Sequence, residues 1–329
     1  MGVVAAWRDG WRRVLGAPWI VIGAWIATLV IALPLAHLLG RQIAAQLGSS
    51  LAASRDAIDF DWWNEFLAQS GGLAQTFVPA ILGFAAVLKN VSSIADAVPV
   101  ASAVAPFVTM SVFVSMFFTG GVLDRLARDR AIGASGFFAA CGVYLFRFLR
   151  LAVIAGFVYS VLFTSVHPLL FDRLYPRLTH DITVERTAFL YRLILYAAFG
   201  GVLVAVNVVF DYAKIRMVVE DRRSAIGSLA AALRFVRRQP AAAAGLYLLN
   251  TAGFLIVLAI YAAIAWGGAP TWTSLLIGQL YIVARIVVRT QFAASQIALF
   301  QGRLAHAGYT AAPVPVWPDS AAAEAIRPQ

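Results

Sequence analysis

Long uncharged apolar runs alternate with short charged stretches along this chain, and most of the runs have membrane-crossing length. Residues 18–39 carry no formal charge over 22 positions. A helical span needs about 20 apolar residues, whereas the apolar part of a secretory leader has about 7–15. The run therefore predicts an uncleaved first span, and the four-residue spacing of Ile43, Leu47 and Leu51 continues the helix outward. Residues 98–123 predict a second span that Pro106 should bend, because proline removes a backbone donor and crowds the preceding turn. A third is expected over 149–166, approached along the interface by the apolar stretch 137–146. A fourth is expected over 188–210, after a polar external loop that contains His167, Pro168, Asp172, Pro176, His180 and Asp181. No formal charge appears from Gln239 to Ala284, which is too long for one span. Gly267, Gly268 and Pro270 divide it into spans at 241–266 and 271–300.

Two further segments have helical period but mixed polarity. Val3, Val4, Trp7, Trp11, Val14 and Leu15 face away from Arg8, Arg12 and Arg13. This predicts a short helix lying in the headgroup layer, with Trp7, Trp11, Arg12 and Arg13 at the membrane surface. In 224–238, Ile226, Leu229, Leu233 and Val236 form an apolar stripe beside Arg234, Arg237 and Arg238, cations suited to anionic headgroups. Residues 76–88 are short and interrupted by Pro79, and read as a buried, interfacial or re-entrant segment. The proline-bearing stretch 308–329 predicts a disordered tail. The fold class is all-α: a polytopic transmembrane helical bundle of about six spans with interfacial amphipathic helices, in one domain over 1–307.

Composition strengthens this picture. Hydrophobic residues make up 61% of the chain and charged ones 13%, against about 45–50% and 25% in soluble domains. A net charge of +10 would fit a nucleic-acid partner, but the positions of the cations exclude that reading. With the N-terminus inside, the inner segments hold 3, 5, 7 and 2 Lys or Arg, 17 together, and the outer segments hold 6. Cytoplasmic loops collect such cations. The expected location is the bacterial cytoplasmic (inner) membrane, with both termini cytoplasmic.

Candidate chemistry is sparse. Cys141 is the only cysteine, so an intrachain disulfide is excluded. The four histidines match no known metal spacing, and neither a nucleophile elbow nor a phosphate-binding glycine loop is present. No metal, cofactor or catalytic residue is expected. Arg285 and Arg289 share a face of the last span, where an unpaired arginine is costly. Asp211, one turn beyond Asn207, is their natural partner, and the four residues predict an inner-side site for an anion or lipid headgroup. The Gly120-Gly121 and Gly200-Gly201 pairs, and the small residues of 241–245 with Gly253, predict close helix packing.

Three stretches carry a resemblance: WRRVLGAPWIVIGAW at the start, DYAKIRMVVEDRRSAIGSLAAALRFVRRQP between two spans, and ARIVVRTQFAASQIALF in the last span. They resemble bacterial multi-pass proteins similar to the membrane domain attached to some glycerophosphodiester phosphodiesterases. The resemblance implies a six-helix bundle without catalysis of its own, and it carries over no site residues. The expected function is that of a non-catalytic scaffold, accessory subunit or lipid-interacting bundle. Its partners would be membrane lipid with anionic headgroups, and a protein on the cytoplasmic or lateral face. The rival is a transporter or channel for a small anionic or lipid-like solute.

Overall fold

The uncharged runs become helices longer than the runs themselves. The computed structural model describes residues 1–47, 60–76, 84–265 and 271–304. Helix α1 (Val3–Leu15) leads into α2 (Pro18–Leu47). After α3 (Phe60–Gln69) and α4 (Phe84–Ala95) come α5 (Ala105–Arg128) and α6 (Ala134–Val161). Two π-helical stretches, Leu162–Val166 and Leu169–Leu174, join α6 to α7 (Tyr175–Thr179). Helices α8 (Glu185–Val219), α9 (Ala225–Arg238), α10 (Pro240–Ile264) and α11 (Thr271–Arg303) follow. There is no β-strand among the described residues. Among the described residues, six helices are long and apolar enough to cross a membrane, so the chain is an all-α, multi-pass membrane bundle.

Packing is unevenly distributed. The continuous core gathers at one end, from α1, the start of α2, the end of α5, the middle of α6, the end of α8, α9, the start of α10 and the end of α11. Tyr212, Phe235 and Phe300 meet there, with ring centroids 4.9 and 5.2 Å apart. The Met1 side chain lies against Gly302, so the first and last described helices meet on the same face of the bundle. Along the six long helices, by contrast, only 11–22% of the most apolar stretch is buried. The physical reason lies in the solvent. Burial against water stabilises each large apolar side chain by roughly 1.5–3 kcal/mol, but lipid tails are as apolar as leucine and drive no such association. The core is therefore dense where the charged loops are and thin where the helices are uninterrupted.

Helix boundaries differ from the expected spans in places that have local causes. Pro106 does not bend a span begun at Val98. It sits in the first turn of α5, where its missing N–H would have been unpaired anyway. The helix that carries the third expected span begins well before 149. One helix starts at Ala134 and, with its π-helical stretches, runs unbroken to Thr179. The predicted loop from His167 is helical to Thr179. Pro168 stands between the two π-helical stretches and Pro176 in the first turn of α7, positions that do not require an α-helical donor. The segment 76–88 falls largely outside the described residues, as does the tail 308–329.

The glycine pairs divide. A Cβ on Gly121 would stand 2.7 Å from Cys141 Sγ, so α5 and α6 approach closely there, whereas Gly200, Gly201 and Gly253 face open space.

Candidate functional site

Among the described residues, no hydrogen bond or ion pair joins the α8 and α11 members of the expected inner-side anion site. Asn207 Nδ2 donates to Asp211 Oδ2 at 3.3 Å, as their one-turn spacing allows. Asp211 pairs with Lys214 Nζ at 2.7 Å rather than with the arginines of α11. Lys214 is one turn further along α8 and reaches the carboxylate without crossing between helices. Arg285 and Arg289 are exposed, and the Arg285 guanidinium lies 5.6 Å from the Tyr281 ring centroid. Neither has an acidic partner among the described residues.

Helix α1 is more than a headgroup helix. One face, with Ala6, Gly10, Arg13 and Val14, is buried. Arg13 Nε donates to Asp9 at 2.9 Å, and its Nη1 donates to Leu126 O and to Gln301 Oε1, both at 2.8 Å. Arg13 is thus a fastening inside the protein and not a membrane-surface contact. Arg12 remains exposed, bridging Asp9 and Asp129 at 2.7 Å each. Burial pushes the Asp9 carboxyl up, but the Arg12 hydrogen bond and the charge of Arg13 outweigh it and hold Asp9 below the ordinary carboxylate value. Trp7 and Trp11 are half-buried, with rings 5.9 Å apart, and Gln291 Nε2 donates to Trp7 O at 2.7 Å.

Ser224 caps α9 by accepting from the Gly227 N–H at 3.1 Å. The buried face of α9 is Ala225, Ser228, Ala231 and Ala232, flanked by half-buried Leu229, Phe235 and Val236, so two of the four residues of the expected stripe pack inward. Ile226 and Leu233 are exposed, as are Arg234, Arg237 and Arg238. Small residues pack inward because α8 runs close beside this helix. The outer face is left both apolar and cationic.

A polar cavity of about 480 Å³ opens at the opposite end of α8, and sequence reasoning missed it. Its walls are Asp96, His167, Phe171, Asp172, Tyr175, Arg192 and Tyr196. Three elements position them. Asp96 follows the end of α4, next to Ala97, which has φ of 52°. His167 sits between the two π-helical stretches, and such turns recur at functional sites. Arg192 and Tyr196 are one turn apart on α8.

The Tyr196 hydroxyl donates to Asp96 and accepts from Arg192 Nε at 3.0 Å. Arg192 Nη2 stands 3.6 Å from Asp96, and its guanidinium lies 5.9 Å from the Tyr175 ring centroid and 5.5 Å from that of Tyr196. His167 Nε2 is 2.8 Å from the carbonyl oxygen of Ala95, to which it donates, and its ring lies 4.6 Å from that of Phe171. The Tyr196 hydrogen bond is the main cause that keeps Asp96 below the ordinary carboxylate value. Ser92 and Arg192 add to it against a smaller effect of burial. Asp96 is therefore ionised at neutral pH.

His167 and Asp172 were visible in the sequence as polar residues of an expected loop, but Asp96 lies far away along the chain. The Arg192–Tyr196 spacing was the available signal. Among the described residues, no group of three His, Cys, Asp or Glu side chains could hold a metal ion. No protein-family model, curated protein or solved structure matches the chain.

Proposed function

We propose that this chain is a non-catalytic, lipid-interacting bundle of the bacterial cytoplasmic membrane, with α1 and the end of α11 on the cytoplasmic side. The observation that carries the reading is the division of packing. A dense core at one end holds together six apolar helices whose midsections are mostly uncovered. Exposed side chains such as Val153 and Phe157 on α6, and Leu248, Leu255 and Ile256 on α10, need acyl chains as solvent. The apolar and cationic outer face of α9 fits an anionic headgroup layer. The cation asymmetry of the loops supports the orientation. The resemblance of three stretches to membrane domains without their own chemistry points the same way.

The test is purification in mild detergent followed by native mass spectrometry, paired with accessibility labelling of a tag after Arg303. The expected result is phospholipid retained through gel filtration and a tag reached only in inverted vesicles. Solute flux through the purified protein in liposomes, or a tag labelled from outside, would overturn the reading.

A further inference from the structure

We propose that the cavity between α4, the π-helical stretches and α8 binds a phosphoethanolamine-type group, with phosphate on Arg192 and primary ammonium beside Asp96 and Asp172. The inference rests on the lipid-interacting reading for its depth in the membrane, and on the cavity's own charges for its chemistry.

The depth follows from helix geometry. Arg192 precedes Asp211 by 19 positions on one continuous helix, or about 28 Å at 1.5 Å per residue. The hydrocarbon core is about 30 Å thick. With Asp211 and Lys214 at the inner boundary, Arg192 reaches the level of the outer headgroups. The volume falls within the range of about 300–1,000 Å³ that small ligands occupy.

The charges select the ligand class. Two carboxylates, Asp96 and Asp172, share the cavity with one guanidinium. A simple anion would meet both carboxylates, and a simple cation would meet Arg192. A zwitterion with separated charges satisfies all three. Arg192 directs Nε to Tyr196, while Nη2 lies beyond hydrogen-bond distance of Asp96. The terminal nitrogens therefore remain to donate to phosphate oxygens. Asp172 is exposed and has no ion-pair or hydrogen-bond partner among the described residues, so its oxygens are available to an ammonium. The faces of Tyr175 and Tyr196 already carry the Arg192 guanidinium, and the Phe171 ring lies 4.6 Å from those of both His167 and Tyr196, which leaves too little free aromatic surface to cage a quaternary amine. A primary ammonium donates hydrogen bonds to carboxylates, and a trimethylammonium does not.

The full-length protein would be placed in nanodiscs made of equal parts phosphatidylethanolamine, phosphatidylcholine and phosphatidylglycerol, and its bound lipid counted by native mass spectrometry. Wild type should retain the ethanolamine lipid about five-fold over either other. Arg192→Gln should lower that retention about ten-fold, the loss of one charge-assisted contact. Asp172→Asn should bring the three lipids to within about two-fold of one another without lowering total lipid. Asp172→Glu, which keeps the charge, should keep the preference, and this separates recognition from misfolding. Displacement by soluble glycerophosphoethanolamine would show that the headgroup alone is recognised, and resistance to it would show that the lipid form is. Equal retention of the three lipids by wild type, or no change in Arg192→Gln and Asp172→Asn, overturns the assignment. With total lipid retention intact, that outcome leaves the broader reading standing. Loss of all retained lipid in wild type defeats both.

Discussion

Gly10 of α1 lies so close to Ser295 of α11 that a Cβ on the glycine would stand 2.8 Å from the serine backbone nitrogen and 2.9 Å from its Cα. Backbone cannot yield there as the end of a flexible side chain can. Gly10→Ala should therefore destabilise the protein by about 1–3 kcal/mol, the usual cost of overpacking. Gly23→Ala adds a Cβ in open space on α2 and should not. Thermal unfolding of the two variants in detergent measures the difference.

Arg12 and Arg13 are neighbours in sequence and share Asp9, yet they should not matter equally. The Arg13 side chain is 10% exposed and also holds Leu126 O and Gln301. Arg13→Met leaves those acceptors unpaired inside the core, a loss on the order of 3 kcal/mol. The Arg12 side chain is 65% exposed, and Arg12→Met should cost under about 1 kcal/mol. Chemical denaturation of the two variants would decide it, and equal losses would contradict the assignment.

Acid should loosen α1 before the membrane-spanning helices. The folded Asp9 carboxyl titrates below its ordinary value of 3.8. Its contribution is complete above that value and disappears as pH falls through the lower folded value. Hydrogen exchange of α1 amides, relative to the intrinsic rate, should accelerate as pH falls below 3.8 in wild type. In Asp9→Asn the exchange should already be faster at neutral pH and lack that step.

Ser224→Ala removes the acceptor for the Gly227 N–H at the start of α9. A lost N-cap costs about 1 kcal/mol. The effect should appear as faster exchange in the first turn of α9 while α8 and α10 keep their protection.

The helices were legible because uncharged runs of span length need no tertiary information. Their ends were less so, because charge marks where a helix leaves hydrocarbon and not where it stops. The third expected span starts at 149, next to Arg147 and Arg150, yet both arginines lie within one helix begun at Ala134. The α9 stripe is half legible: Leu229 and Val236 pack inward, but the close approach of α8 gives the centre of the buried face to Ala225, Ser228, Ala231 and Ala232 and leaves Ile226 and Leu233 outside. Local sequence places Arg13 at the membrane surface because its partners, Leu126 and Gln301, are far away in sequence. The Asp96–Tyr196–Arg192 cluster is hidden for the same reason: two of its three members are one turn apart on α8, but Asp96 follows the end of α4.

The dense end of the molecule also fixes an order of events during synthesis. Trp7 and Arg13 leave the ribosome 284 and 288 residues ahead of Gln291 and Gln301, which hold them. Contacts between such distant positions form slowly. The helices can enter the bilayer one at a time while α1 waits unclasped. A truncation that stops before α11 should yield an inserted protein whose N-terminal helix remains open to protease.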